Sequence, residues 1–372
     1  MQSPPPLLHP IYASATPQAM VATGAALPLW AFVGRNTLGL SPTVVSSISG
    51  LGGAVLLGGM VGSPLGTEAT MMNSVMAFMV SWRAVTDPLV RDPNEGIVSR
   101  VLSLLGDLFP TREVTPPPPS SSENNGVASN STSSIGAYLW KAGGISLRLA
   151  GKLLASYVLK NVALRGATAG VATPVLASIW TLMIAVLPSS ETAELVVHLG
   201  SMGTYEVVSF NNWFLASSSL HEFWSRRYNR LISRFFHHTL YEPLRKDHGV
   251  SPPAAAMAVF TASGALHAYV AHLVFGRGEL SSMAFFMLHG AAVCAERWAD
   301  KNIPAFADRP AWLGRILTLA VFASTFSLYP GLFVSEWPGW FLRNPITAPP
   351  PLAALGDQLL PHIFTALRPL GF

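Results

Sequence analysis

The chain has 372 residues, of which 50% are hydrophobic and only 11% charged, with a formal net charge of +4. Soluble globular domains carry about a quarter charged residues, so this composition, with a mean hydropathy of +0.40, points to helices in a membrane. The small, scattered positive charge excludes a nucleic-acid footprint, and a lone cysteine, Cys294, excludes an intramolecular disulfide and a cysteine-rich metal site.

In chain order, the opening MQSPPPLLHPIY lacks the basic start and compact apolar core of a signal peptide, so targeting is expected from the first span. A helix needs about 20 mostly apolar residues to cross a bilayer. Windows of that kind cover 19–33, 43–62 and 67–84, the last ending on an interfacial Trp82 and Arg83. Gly58, Gly62 and Gly66 stand four apart, the spacing that lets two membrane helices approach closely. No Gly-Lys-Ser/Thr follows them, so a phosphate loop is not the reading. Residues 114–134, VTPPPPSSSENNGVASNSTSS, have almost nothing apolar to bury and read as a disordered polar loop carrying an Asn130-Ser131-Thr132 sequon.

Beyond the loop, 145–164 is apolar but carries Arg148, Lys152 and Lys160, which suits an interfacial or internal helix. Further windows follow at 167–188, 193–216, 254–275, 280–298 and 312–334, with a weaker one at 352–367. The expected architecture is all-α and polytopic, with roughly eight transmembrane helices. It divides into N-terminal transmembrane helices over 1–113, the polar loop, and a membrane core over 135–372.

The densest cationic cluster, Arg226, Arg227, Arg230, Arg234, Arg245 and Lys246, faces the cytosol by the positive-inside rule. At about 100° per residue, a helix over 221–236 puts Trp224, Tyr228, Leu231, Ile232 and Phe235 on one stripe and the arginines opposite. That is an amphipathic helix lying in the membrane surface. Asn229 falls on the seam, where an amide turned inward needs a partner. The basic face suits a phosphorylated ligand arriving from the cytosol.

His267 sits in the middle of an apolar span, with the small residues Ser263, Gly264 and Ala271 on its face and His272 on another. An ionisable group at membrane depth is by default a functional candidate, and imidazole is the side chain suited to general-base work near neutral pH. His289 and Glu296 share a face of the next span, and a structural hydrogen bond is favoured over a metal pair. Adjacent His237 and His238 point apart on a regular helix and are assigned no chemistry. Cys294, flanked by alanines and valine, reads as a buried small residue. No Gly-x-Ser-x-Gly elbow is present, so a base acting between two bound substrates is preferred to a covalent enzyme intermediate.

The blocks "SLHEFWSRRYNRLISRFFHHTLYEPLR", "SGALHAYVAHLVFGR" and "FFMLHGAAVCAE" resemble the wax synthase branch of the membrane-bound O-acyltransferase superfamily. Ser219, Leu220, Glu222, Phe223, Trp224, Arg226, Arg227 and Asn229 carry the first block. Ser263, Gly264 and His267 carry the second, and Phe285, Phe286, Gly290 and Glu296 the third. Tyr228 stands where the branch has tryptophan. The likeness is specific over about residues 215–300, and the 38-residue step from Asn229 to His267 also fits it.

The resemblance implies a multi-pass enzyme of the endoplasmic reticulum membrane that moves an acyl group from acyl-CoA to an alcohol. His267 would be the catalytic base and Asn229 the second signature residue. Arg226, Arg227 and Arg230, with Trp224 and Tyr228, would hold the co-substrate acyl-CoA. No metal and no permanently bound cofactor is implied. The leading expectation is wax-ester formation from a long-chain fatty alcohol. Sterol, diacylglycerol or a small metabolite, with acetyl-CoA as a further donor, are alternative substrates. A proton-coupled transporter would show internal repeats, which the sequence lacks. A non-catalytic binding protein would have no need of both Asn229 and His267.

Overall fold

The computed structural model describes residues 37–59, 67–90, 111–113, 130–185, 189–332 and 349–372, together with Ala26, Trp30, Val33 and Gly34. The window at 19–33 and the residues 114–129 of the polar stretch lie outside the described residues, apart from Ala26, Trp30 and Val33. Helices dominate. In order they are α1 (Pro42–Gly59), α2 (Thr67–Val90), α3 (Asn130–Thr168), α4 (Thr173–Ala185), α5 (Ser189–Gly200), α6 (Leu220–Glu222), α7 (Arg230–Phe236), α8 (Glu242–Lys246), α9 (Pro252–Phe275), α10 (Glu279–Asn302), α11 (Pro304–Ala307), α12 (Ala311–Thr325) and α13 (Pro350–Leu367). Two π-helical turns, Phe223–Arg227 and His237–Tyr241, interrupt the helices of the basic segment. The all-α expectation holds, with one small addition. A small antiparallel sheet pairs β1 (Thr111–Glu113) with β2 (Tyr205–Val207), in the register Arg112 opposite Glu206.

The chain forms two compact units. The first comprises Met1–Asp107, Ala216–Ser225 and Ile232–Asn344, and the second Leu108–Leu215, Arg226–Leu231 and Pro345–Phe372. In the first unit α1 packs on α2, and α9 packs on both α2 and α10. The close approach of α1 to α2 is at Gly53, where a Cβ would come 2.9 Å from the Ser81 Cβ. Gly62 and Gly66 of the expected small-residue stripe lie outside the described residues. Helices α9 and α10 form a tight hairpin, turned by Gly276 and Gly278 at φ +67° and +94°. Left-handed backbone of this kind is open to glycine without the cost of a Cβ clash.

In the second unit α3 packs against α4, α5 and α13. The cations that α3 carries within an apolar stretch meet acids on α5. Lys152 Nζ lies 2.7 Å from Glu191 Oε1 and Arg148 Nη2 2.9 Å from Glu194 Oε2. Tyr157 donates to Asp357 Oδ1 on α13 at 2.9 Å. Asn130 opens the 39-residue α3, so the sequon starts a helix rather than ending a polar loop.

Among the described residues, α9 alone is long and apolar enough to cross a membrane, while α1 and α12 are apolar but shorter. Several expected spans take other forms, for local reasons. The window at 193–216 breaks after α5, where Met202 and Gly203 adopt positive φ and the chain turns into β2. The window at 312–334 ends as helix at Thr325, before a turn through Leu328 and Tyr329. The window at 280–298 is helical throughout, but α10 continues through Glu296, Arg297, Asp300 and Lys301.

Candidate active site

The basic segment is not one amphipathic helix. Ser219 caps α6, accepting from the Glu222 N–H at 2.9 Å, and the Glu222 carboxylate reaches back to the Ser218 N–H at 2.8 Å and the Ser218 hydroxyl at 2.9 Å. This is a variant of the capping box, with the returning carboxylate reaching one residue before the cap. From α10, the Glu296 carboxylate accepts from the Leu220 and His221 N–H groups at 3.1 and 2.9 Å and from Arg309 at 3.4 Å. The carboxylate and the Arg309 side chain are each only 9% exposed. A buried ion pair of this kind is costly to break from one side, by about 3–5 kcal/mol. Glu296 therefore anchors the start of the signature segment and does not pair with His289.

A π turn follows, and then the helix stops. Asn229 has φ +42°, one of three non-glycine residues with positive φ among those described. Asparagine is among the side chains that tolerate this region. The break undoes the expected stripe. Trp224 sits in an aromatic cluster of the first unit, with ring centroids 5.8 Å from Phe260, 5.7 Å from Phe286 and 5.9 Å from Phe322. Tyr228 meets Phe214 edge-on at 5.3 Å, and burial pushes its phenol up to about 12. Ile232, Phe235 and Phe236 are buried, with Phe236 against Trp82 of α2 at 5.6 Å. The apolar side is thus covered in part by protein, where the sequence suggested lipid.

Among the arginines, Arg226 and Arg234 are exposed. Arg227 and Arg230 are half-buried, and their guanidinium groups reach the Asn212 and Ser209 carbonyls at 3.3 and 3.5 Å. Backbone contacts to the short stretch 209–213 bracket the break. The Asn229 N–H donates to Asn211 Oδ1 at 2.8 Å, Arg230 N–H to Phe210 O at 2.7 Å and Asn212 N–H to Arg227 O at 2.8 Å.

His267 lies on α9, half-buried. Its Nδ1 is 2.6 Å from the Ser263 carbonyl oxygen. A carbonyl only accepts, so Nδ1 carries the proton and Nε2 presents its lone pair. That nitrogen has no hydrogen-bond partner among the described residues. The ring stacks on Phe286 at 4.1 Å and meets Tyr329 edge-on at 5.1 Å. The small residues beside His267 do not leave open room on that side. Gly264 admits α10 instead, since a Cβ there would touch Met283 Sδ at 3.0 Å. Gly290 does the same from the other helix, its Cβ position lying 2.8 Å from the Phe260 Cβ. Both signature glycines therefore set how closely α9 and α10 approach, and so how firmly Phe286 backs the imidazole.

His289 has the opposite environment. It is fully buried and both ring nitrogens are engaged. Trp224 Nε1–H, which can only donate, lies 3.2 Å from Nδ1, so the proton is on Nε2, which donates to Thr325 Oγ1 at 2.9 Å. The threonine hydroxyl passes its own proton to the Val321 carbonyl at 2.7 Å. This chain joins the signature tryptophan, α10 and α12, and its pattern cannot be read from sequence because its members are 65 and 36 residues apart.

His237, His238 and Glu242 converge, contrary to the expectation that adjacent histidines diverge. Their donor atoms lie within 4.8 Å of one another, because the His237–Tyr241 turn is π-helical and bonds Glu242 N–H to His237 O. The Glu242 carboxylate is already shared, by His238 at 3.1 Å and Lys246 at 3.0 Å, and these contacts hold it below the usual carboxylate range. Cys294 is half-buried, beside the Pro253 carbonyl at 3.7 Å.

Comparison with known proteins falls on this same segment. Residues 208–288 match the Membrane bound O-acyl transferase family. The chain is 30% identical over 118 residues to a long-chain-alcohol O-fatty-acyltransferase of Simmondsia chinensis. It is 31% identical over 119 residues to acyl-CoA–sterol O-acyltransferase 1 of Arabidopsis thaliana, and 34% over 94 residues to a probable long-chain-alcohol O-fatty-acyltransferase 1 of the same plant. The alignments cover 30%, 30% and 23% of this chain, and 33%, 33% and 27% of the relatives, so the chain spans at most about a third of the curated proteins it matches. The stretch that is similar to the Membrane bound O-acyl transferase family therefore holds Asn229 and His267, together with Trp224, Phe260 and Phe286 of the aromatic cluster.

Proposed function

We propose that this protein is a membrane acyltransferase that esterifies a lipid alcohol from acyl-CoA, with wax esters from long-chain alcohols as its product. The observation that carries the reading is the state of His267. Its Nδ1–H is held by the Ser263 carbonyl, so Nε2 is the basic nitrogen, and the ring is fixed against Phe286. A positioned imidazole of this kind contributes about 10²–10⁴-fold as a general base. His267 takes the hydroxyl proton as the alcohol oxygen attacks the thioester carbon. The carbon–sulfur bond breaks and the CoA thiolate leaves, to be protonated in turn. Asn229 supplies an amide that steadies the thioester or the developing oxyanion, a contribution of about 3 kcal/mol for one donor. Arg226, Arg227 and Arg230 meet the CoA phosphates, with Tyr228 beside them. No step requires a metal.

The matched relatives include both alcohol and sterol acyltransferases, so the acceptor is the finer question. The enzyme is read as a multi-pass protein of the endoplasmic reticulum membrane, with more spans than α9 alone. Expression in a cell that makes no neutral lipid, with supply of a fatty alcohol or a sterol, identifies the product. Wax esters from the alcohol support the proposal. Steryl esters alone move the acceptor to sterols, and absence of any ester overturns the enzyme reading.

A further inference from the structure

We infer that Asn211, outside the signature blocks, is the positioning residue that sets the backbone of Asn229. The inference rests on the reading of Asn229 as a site residue. The sequence around Asn229 favours continued helix, with Arg230, Leu231 and Ile232 following, and a left-handed residue there interrupts it. A non-glycine residue in that region, even an asparagine, persists where the surroundings hold it. Two backbone bonds, Asn212 N–H to Arg227 O and Arg230 N–H to Phe210 O, flank the break. The bond at the break itself is made by a side chain, Asn211 Oδ1 accepting from the Asn229 N–H at 2.8 Å. Phe210 is tied in turn to Ser190, whose hydroxyl accepts its N–H at 3.0 Å. The acceptor is thus mounted on a stretch with its own anchor. Were Asn229 to return to helical φ, its Cβ would leave in another direction, and its amide with it.

The test uses the full-length protein in detergent or microsomes. Asn211→Ala removes the acceptor, and Asn211→Asp keeps an oxygen in its place. Asn212→Ala alters an exposed neighbour whose described bonds are all backbone. Asn211→Ala is expected to lower kcat about tenfold with little change in the KM for acyl-CoA, the size of an unmet, half-buried N–H. Asn211→Asp recovers most of that loss, and Asn212→Ala stays near the parent. Amide hydrogen exchange over 226–231 provides a readout that needs no substrate. It is expected to speed in Asn211→Ala and to return toward the parent in Asn211→Asp. Unchanged exchange in Asn211→Ala overturns the inference even if the protein is an active enzyme. Faster exchange in a protein whose Asn229→Ala variant is fully active upholds the hold on the backbone and overturns the catalytic reading of Asn229. A fall in melting temperature shared equally by Asn211→Ala and Asn211→Asp, with no difference between them in kcat or exchange, reduces Asn211 to loop packing.

Discussion

His267 and His289 stand on neighbouring helices of one unit, each beside Phe286 or Phe285, yet their ring nitrogens differ. His289 spends both, one on Trp224 and one on Thr325. His267 spends one, on the Ser263 carbonyl a turn earlier. An imidazole with two partners is a tie between elements; one with a single local partner is oriented and still able to accept a proton. Depth in an apolar helix therefore does not by itself say which ring nitrogens stay open, since the more deeply buried of the two has both engaged. What matters is which hydrogen-bonding atoms the packing leaves unspent.

His267→Ala is expected to lower ester formation about a hundredfold or more, with the protein's abundance in membranes unchanged. Full activity in that variant would remove the base from the mechanism. His289→Ala should behave in the reverse way. It opens a cavity and leaves the Trp224 N–H and the Thr325 hydroxyl unpaired, at a cost of about 3 kcal/mol in stability. Thermal unfolding in detergent reads this, and specific activity per folded molecule should stay close to the parent. Were His289→Ala to unfold at the parent temperature, the tie would have no energetic content.

A sharper version removes one bond and keeps the ring. Trp224→Phe deletes the donor to His289 Nδ1 while retaining much of the aromatic packing, for an expected loss of about 1–2 kcal/mol. Combined with His289→Ala, the two losses should fall short of their sum, because they share one contact. The smallest effect is expected at the exposed cluster on the π turn. Lys246→Ala should change stability by only a few tenths of a kcal/mol. The Glu242 carboxylate is held below its usual range by His238 first and Lys246 next. Its contribution is present above the ordinary carboxylate pKa and fades as pH falls through the depressed value. Melting curves of Glu242→Gln and the parent should therefore converge in acid and separate slightly near neutrality.

The segment similar to the family was legible in the residues. The blocks around Asn229 and His267 fall within the segment that the family comparison matches, while Glu296 lies beyond its end. Gly264 was visible as a small position and Gly290 as a member of the third block, though neither as a point where α9 and α10 touch. A single helical period does not hold over 221–236. A constant 100° step assumes one unbroken helix, and a π turn followed by a left-handed Asn229 resets the phase. The same assumption sent His237 and His238 apart, where the second π turn gathers them with Glu242. Hydropathy windows likewise merged α5 with β2, because window averages do not register a positive-φ turn.

Composition and motif order were sufficient for a helical, apolar protein with one candidate imidazole and one candidate amide, since hydropathy and residue type are properties of the chain alone. What holds Asn229, His289 and Glu296 in place depended on contacts across 18, 65 and 76 residues: Asn211 on Asn229, Trp224 on His289, and Glu296 on Leu220. Such pairings arise only when helices have packed, because hydrogen-bond satisfaction is settled by which groups meet in space and not by their order along the sequence.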